Sequence, residues 1–154
     1  MKKEKIAVSA CLLGYNCKYN GGNNRDEKVL EYIKDYDYIV VCPETAGKLP
    51  IPRVPSEIEI GCCGQDIWDE NKKSKVYSKT GEDLTQNFID GSLITLEAIK
   101  KNGIKKALLK ESSPSCGVNT IYTGEFCGEK KRGQGVTAAL LLENGIELIS
   151  EKDI

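Results

Sequence analysis

A chain of 154 residues is long enough to bury one proper core and reads as one domain. Its 22 basic and 23 acidic residues cancel to a net charge of −1, so no chain-wide field recruits nucleic acid or anionic membrane. Histidine is absent, which excludes Ser-His-Asp and Cys-His catalysis, a histidine base and histidine-bearing zinc sites.

Lys2, Lys3 and Lys5 ahead of Cys11 imitate a lipoprotein signal, but only five apolar-run residues precede the thiol, fewer than the ~7–15 a signal core needs. The run from Ile6 reads instead as a first strand, and the protein as cytoplasmic. No stretch of about 18 apolar residues offers a membrane span. Beyond Cys11, Gly14, Asn16, Asn20, Gly21 and Gly22 force an irregular loop. Asp26 can cap a helix over 27–34, with Val29, Leu30 and Ile33 on one face. A second strand runs from Tyr38 to Cys42 and stops at Pro43, which lacks an N–H. Residues 43–57 hold four prolines and read as an irregular functional loop over the strand ends, or as a plain extended connection.

Residues 58–79 read as a β-excursion, with Ile67-Trp68 and Val76-Tyr77 flanking a hairpin tip. Cys62 and Cys63 then lie adjacent on a strand, one buried and one exposed. The longest helix spans 83–101, with Leu84, Phe88, Leu96 and Ile99 on one face, Gly91-Ser92 as its weak point and Gly103 as its stop. Lys100, Lys101, Lys105 and Lys106 read as a solvated helix end rather than a phosphate contact. A third strand covers 105–109, and the Ser112-Ser-Pro-Ser-Cys-Gly117 loop follows. Thr120 to Thr123 is a short extended piece, and 124–135 is loop. A helix over 136–143 and a strand over 146–149 close the chain. This order predicts a single α/β domain: a Rossmann-like parallel sheet of about four strands, right-handed crossovers and a small β-hairpin insertion.

Three strand ends thus carry Cys11, Cys42 and Cys116, and in a parallel sheet all carboxyl ends share one edge. Their loops bring polar residues that a core would not need: Ser9, Glu44, Arg53, Ser113 and Ser115. In a reducing compartment such thiols bind metal, catalyse or are simply buried. Thiolates held together without imidazole select zinc, Cu(I) or iron–sulfur clusters. Four-cysteine zinc sites usually show CxxC pairs, and none occurs here, so zinc is the weaker alternative. Scattered single cysteines fit a cluster bound by three thiolates with one iron left open. Cys17 is the rival ligand, placed outside the triple because its Gly/Asn-rich loop offers no anchor. A non-catalytic metal- or cluster-binding domain, or a thiol-redox protein pairing Cys11 with Cys17, are the competing classes.

The motifs Val8-Ser-Ala-Cys-Leu-Leu-Gly14, Cys17-Lys-Tyr-Asn-Gly21, Cys42-Pro-Glu44, Gly47-Lys-Leu-Pro-Ile-Pro-Arg53, Glu57-Ile58, Ser113-Pro-Ser-Cys-Gly117 and Gly135-Val-Thr-Ala-Ala-Leu140 resemble the bacterial thiouracil desulfidases, a family also labelled domain of unknown function 523. The resemblance implies a 4Fe-4S cluster held by three cysteines, whose fourth iron takes the sulfur of a thiolated uracil, with hydrolysis and no net redox change. It places Glu44 and Ser113 beside the substrate as acid/base and hydrogen-bonding groups. Ser9, Arg53 and Ser115 join them as candidate substrate-binding residues. Glu44 must hold a proton for part of such a cycle, which burial beneath Pro43 would favour. Lys18, Asn20 and Lys48 depart from the family pattern, and Cys62, Cys63 and Cys127 lie outside it. The partner implied is a small thiolated nucleobase, with no membrane and no strong nucleic-acid signal; the oligomeric state is left open.

Overall fold

A computed structural model describes residues 3–154, so Lys2 of the signal-like run lies outside it. Four strands form the main sheet: β1 (Lys5–Ser9), β2 (Asp37–Val41), β5 (Lys106–Leu109) and β8 (Glu147–Ser150). They lie in the order β2-β1-β5-β8 and every pairing is parallel. The central position of β1 explains its sequence. Ile6, Ala7 and Val8 are wholly buried, because a strand covered on both faces has no solvent side on which to alternate. Ala7, Ala107 and Leu109 share one core with Leu96, Ile99 and Leu141 from α4 (Thr85–Lys101) and α5 (Val136–Glu143). Ile6, Val8 and Leu108 face the other way, onto Leu12, Val29 and Ile33. Val29 belongs to α1 (Glu27–Tyr32), whose N-terminus is capped by Asp26 accepting from Lys28 N at 2.9 Å. The α/β domain with a parallel sheet is as the sequence predicts.

Between β2 and α4 the sequence reading needs correction. The proline-rich stretch is not uniformly irregular. Pro43 ends β2 and also opens a short helix, α2 (Pro43–Ala46), since a helix's first residue needs no N–H partner. Ile67 and Trp68 are not a hairpin arm. They belong to α3 (Gly64–Trp68), where Cys63 N donates to Asp66 Oδ2 at 2.9 Å and Trp68 Nε1 donates to Val136 O at 2.8 Å. The true partner of β4 (Val76–Ser78) is β3 (Ser56–Ile58), antiparallel with Glu57 opposite Tyr77. Cys62 and Cys63 are therefore not on a strand, and both are half-buried against a second core around Phe88 and Ile121. A second hairpin, β6 (Thr120–Tyr122) with β7 (Lys130–Arg132), occupies part of the segment read as loop.

Helix α4 runs unbroken through Gly91-Ser92. Those small residues serve a close approach instead: a methyl group on Gly91 would collide with the Pro43 carbonyl of α2. Ser92 Oγ bonds Phe88 O at 2.7 Å and Thr137 Oγ1 of α5 at 2.6 Å. Helix α2, which starts beside Cys42, is thereby seated directly on the longest helix.

Candidate active site

Three crossings of the sheet end on one edge. At the end of β1, Ala10–Leu13 form a 3₁₀ turn containing Cys11, closed by Gly14 with φ of 98°. Asn24 N returns to Cys11 O at 2.9 Å and fixes that turn. At the end of β2, Cys42 caps α2, and its sulfur lies 3.1 Å from Thr45 Oγ1. Beyond β5, Ser113 Oγ accepts from Cys116 N at 2.7 Å, while Val136 N and Thr137 N bond the carbonyls of Pro114 and Ser115. The Cys116 loop is thus docked on the start of α5.

Cys11, Cys17, Cys42 and Cys116 all line one cavity of about 390 Å³, in the size range of small-molecule sites. Cys17 therefore joins the three thiols expected there. Its loop does have an anchor, invisible in local sequence: Arg53 Nη2 donates to Cys17 O at 3.0 Å, and Arg53 N to Tyr19 O at 2.6 Å. Cys127 is exposed, and Cys62 and Cys63 do not line this cavity.

The thiols differ electrostatically. Cys17 shares hydrogen bonds with the sulfurs of Cys11 and Cys42, which raises its own pKa and lowers theirs. For Cys42 that bond outweighs burial and, with Thr45, brings the thiol down to about 6. Burial pushes Cys116 up to about 12, against the opposing hydrogen bonds of Ser115 and Ser9. The Cys17 neighbour thus favours the thiolate at Cys11 and Cys42, while burial favours the thiol at Cys116.

Glu44, the second residue of α2, sits in the same wall. Arg53 reaches one of its oxygens with Nη2 at 3.1 Å and Nε at 3.2 Å, and Ser115 Oγ donates to the other at 2.8 Å. The Arg53 side chain is 7% exposed and that of Glu44 15%. Ser113 Oγ lies 3.2 Å from Ser115 Oγ. Ser9 is buried, accepts from Lys110 N at 3.0 Å and faces the Cys116 sulfur. All eight expected site residues therefore line one cavity. Lys110, Glu111 and Glu57 line it too and were not among the expected site residues, although Glu57 stands in one of the family motifs. Lys110 and Glu111 could have been found as charged residues directly following the apolar run Ala107–Leu109.

The donor set fits a polynuclear cluster better than a single ion. A tetrahedral zinc–thiolate site, with Zn–S of about 2.3 Å, needs sulfurs about 3.8 Å apart. No three of the four cavity thiols lie within 4.8 Å of one another. Among the described residues, the one trio so gathered is Glu125, Cys127 and Glu129, and it is exposed. A cluster whose thiolates bind different irons calls for the wider spacing.

Comparison with known proteins agrees with this chemistry. The family model described as 2-thiouracil desulfurase matches residues 6–153. The uncharacterized protein YbbK of Bacillus subtilis is 41% identical over 149 residues, 97% of each chain. A solved structure titled [4Fe-4S]-dependent thiouracil desulfidase TudS superposes with a TM-score of 0.83 at 38% identity, covering 99% of this chain and 93% of that one. The chain belongs to the 2-thiouracil desulfurase family.

Proposed function

We propose that this enzyme removes sulfur from a thiolated uracil by hydrolysis, with a 4Fe-4S cluster held by Cys11, Cys42 and Cys116. The observation that carries the reading is the Glu44 carboxylate, fixed between Arg53 and Ser115 in a cavity that also holds these thiols. When bound, the cluster would supply a Lewis-acidic iron for the soft sulfur of the base. Paired with Arg53, Glu44 enters the cycle as the base, taking a proton from water as the oxygen attacks the thiocarbonyl carbon. It returns that proton in the second half, so that thiobase and water become oxo-base and hydrogen sulfide. Ser115 spends its hydroxyl proton on Glu44, which holds the carboxylate in place. Ser113, accepting from Cys116 N, is then the donor in its 3.2 Å contact with Ser115, and turns that hydroxyl proton to the base or the water when these are bound. Ser9 and Arg53 complete the wall against which the base lies. Cys17 is a supporting thiol beside two of the cluster ligands, Cys11 and Cys42. No helix among the described residues is long and apolar enough to cross a membrane, and a reducing cytoplasm suits seven free thiols.

Anaerobic reconstitution with iron and sulfide, followed by uracil and sulfide release from 2- and 4-thiouracil, tests this. The loaded protein should turn over at least one of the two, and Glu44→Gln, with unchanged iron, should lose ~10²–10⁴ in rate. Cys→Ser at 11, 42 or 116 should lose most iron, and at 17 should not. A loaded protein inert toward both bases would leave a cluster-binding module without catalysis, and zinc in place of iron would remove the cluster itself.

A further inference from the structure

We propose that Glu111 is the positioning residue of the Cys116 loop, a built-in anion that closes a ring of main-chain N–H groups and so sets Cys116, Ser113 and Ser115 at the cavity. The role given to Cys116 rests on the function proposed above.

Glu111 is 5% exposed, yet among the described residues no cation pairs with its carboxylate oxygens. Its compensation is backbone. Oε1 accepts from the N–H groups of Ser112 at 3.2 Å, Val118 at 2.9 Å, Asn119 at 2.8 Å and Thr120 at 3.0 Å. Oε2 accepts from Asn119 Nδ2 at 2.9 Å. Such convergent N–H groups form an anion-binding concavity, filled elsewhere by phosphate or substrate and here by the chain's own side chain. The ring joins both ends of the loop, residue 112 on one side and residues 118–120 on the other, with Cys116 between. Ser112, at φ of 68°, enters the loop in a left-handed conformation that a non-glycine residue adopts at a cost. A second layer holds Glu111 itself: its N–H donates to Glu151 Oε1 at 2.7 Å, and Lys110 Nζ bonds Glu151 Oε2 at 3.2 Å and Glu111 O at 2.8 Å. Without the carboxylate, several N–H groups around the loop lose their acceptor, and opening the loop to water is the cheapest way to satisfy them.

Glu111→Ala deletes a fragment the size of acetate, which makes rescue possible. In the cluster-free full chain, iodoacetamide labelling followed thiol by thiol should find Cys116 the slowest in wild type. In Glu111→Ala its labelling should rise at least about tenfold, the cost of one charged hydrogen bond lost, while Cys62 and Cys63 keep their rates. Acetate should restore slow labelling, and chloride at equal ionic strength should not. Iron retained after anaerobic reconstitution should fall and recover in step. Glu111→Gln keeps an acceptor in place, so its Cys116 should label more slowly than that of Glu111→Ala; it also serves if the alanine variant does not fold. Unchanged Cys116 labelling in both variants would overturn the proposal. So would equal acceleration of all seven thiols without acetate rescue, which would make Glu111 a support of the fold alone. If labelling follows the expected pattern but wild type holds no iron, the proposal stands and the cluster reading fails.

Discussion

Arg53 is the point at which the site's geometry has the largest measurable consequence. Its guanidinium binds Glu44 through two nitrogens and also the carbonyls of Cys17 and Pro50, at 3.0 and 3.1 Å. Arg53→Met keeps much of the aliphatic stem and removes all of these bonds. Removing one partner of a buried ion pair costs about 3–5 kcal/mol, because the other charge is left without compensation. Glu44 keeps its bond from Ser115 and is 15% exposed, so the low end applies, about 3 kcal/mol or roughly a hundredfold in the folding equilibrium. With a urea m-value of about 2 kcal/mol/M, the unfolding midpoint should fall by about 1.5 M. Fluorescence of Trp68, the one tryptophan of the chain, reports the transition. The diagnostic comparison is the double variant Arg53→Met/Glu44→Gln, which removes both charges. Its loss should be smaller than the sum of the single losses by at least about 1 kcal/mol. Strict additivity would refute the claim that these two side chains act as a pair, and with it the reason given for Glu44's fixed position.

Two further outcomes follow from other parts of the structure. Burial alone would raise the pKa of Glu111, but hydrogen bonds from the Thr120 and Asn119 N–H groups and the Asn119 side-chain amide bring it down to about 2 from 4.5. A lowered folded-state pKa contributes stability that is complete above about pH 4.5 and lost as pH falls toward 2, about 3 kcal/mol in all; acid titration should show this loss diminished in Glu111→Gln. Gly91→Ala, harmless by helix propensity, should instead push α2 off α4 and lower both thermal midpoint and iron uptake, because the added methyl meets the Pro43 carbonyl; a normal midpoint would show that α2 can shift without cost.

The parts of the fold that sequence revealed are those whose partners repeat along the chain. Ile6, Val8, Ala107 and Leu108 read as buried strands because both of their faces are covered. The thiol edge followed from strand direction alone. Trp68 misled because its apolar character suits a strand, whereas its place is set by a bond to Val136 O, 68 residues away. Pro43 hid a helix start behind a strand stop. The anchoring of Cys17 by Arg53 spans 36 residues, and Glu111 is held by backbone N–H groups that every residue but proline carries. Neither leaves a mark in local sequence.

The proposed hydrolysis without net redox change, with Glu44 delivering water, fixes the origin of the new oxygen atom. Single-turnover desulfuration by the reconstituted protein in ¹⁸O-enriched water, with mass analysis of the base and quantitation of sulfide, reads this out. The account requires ¹⁸O in the uracil carbonyl and an equimolar yield of sulfide, both suppressed in Glu44→Gln at unchanged iron. Unlabelled uracil, or sulfur recovered as persulfide or elemental sulfur rather than sulfide, would contradict it.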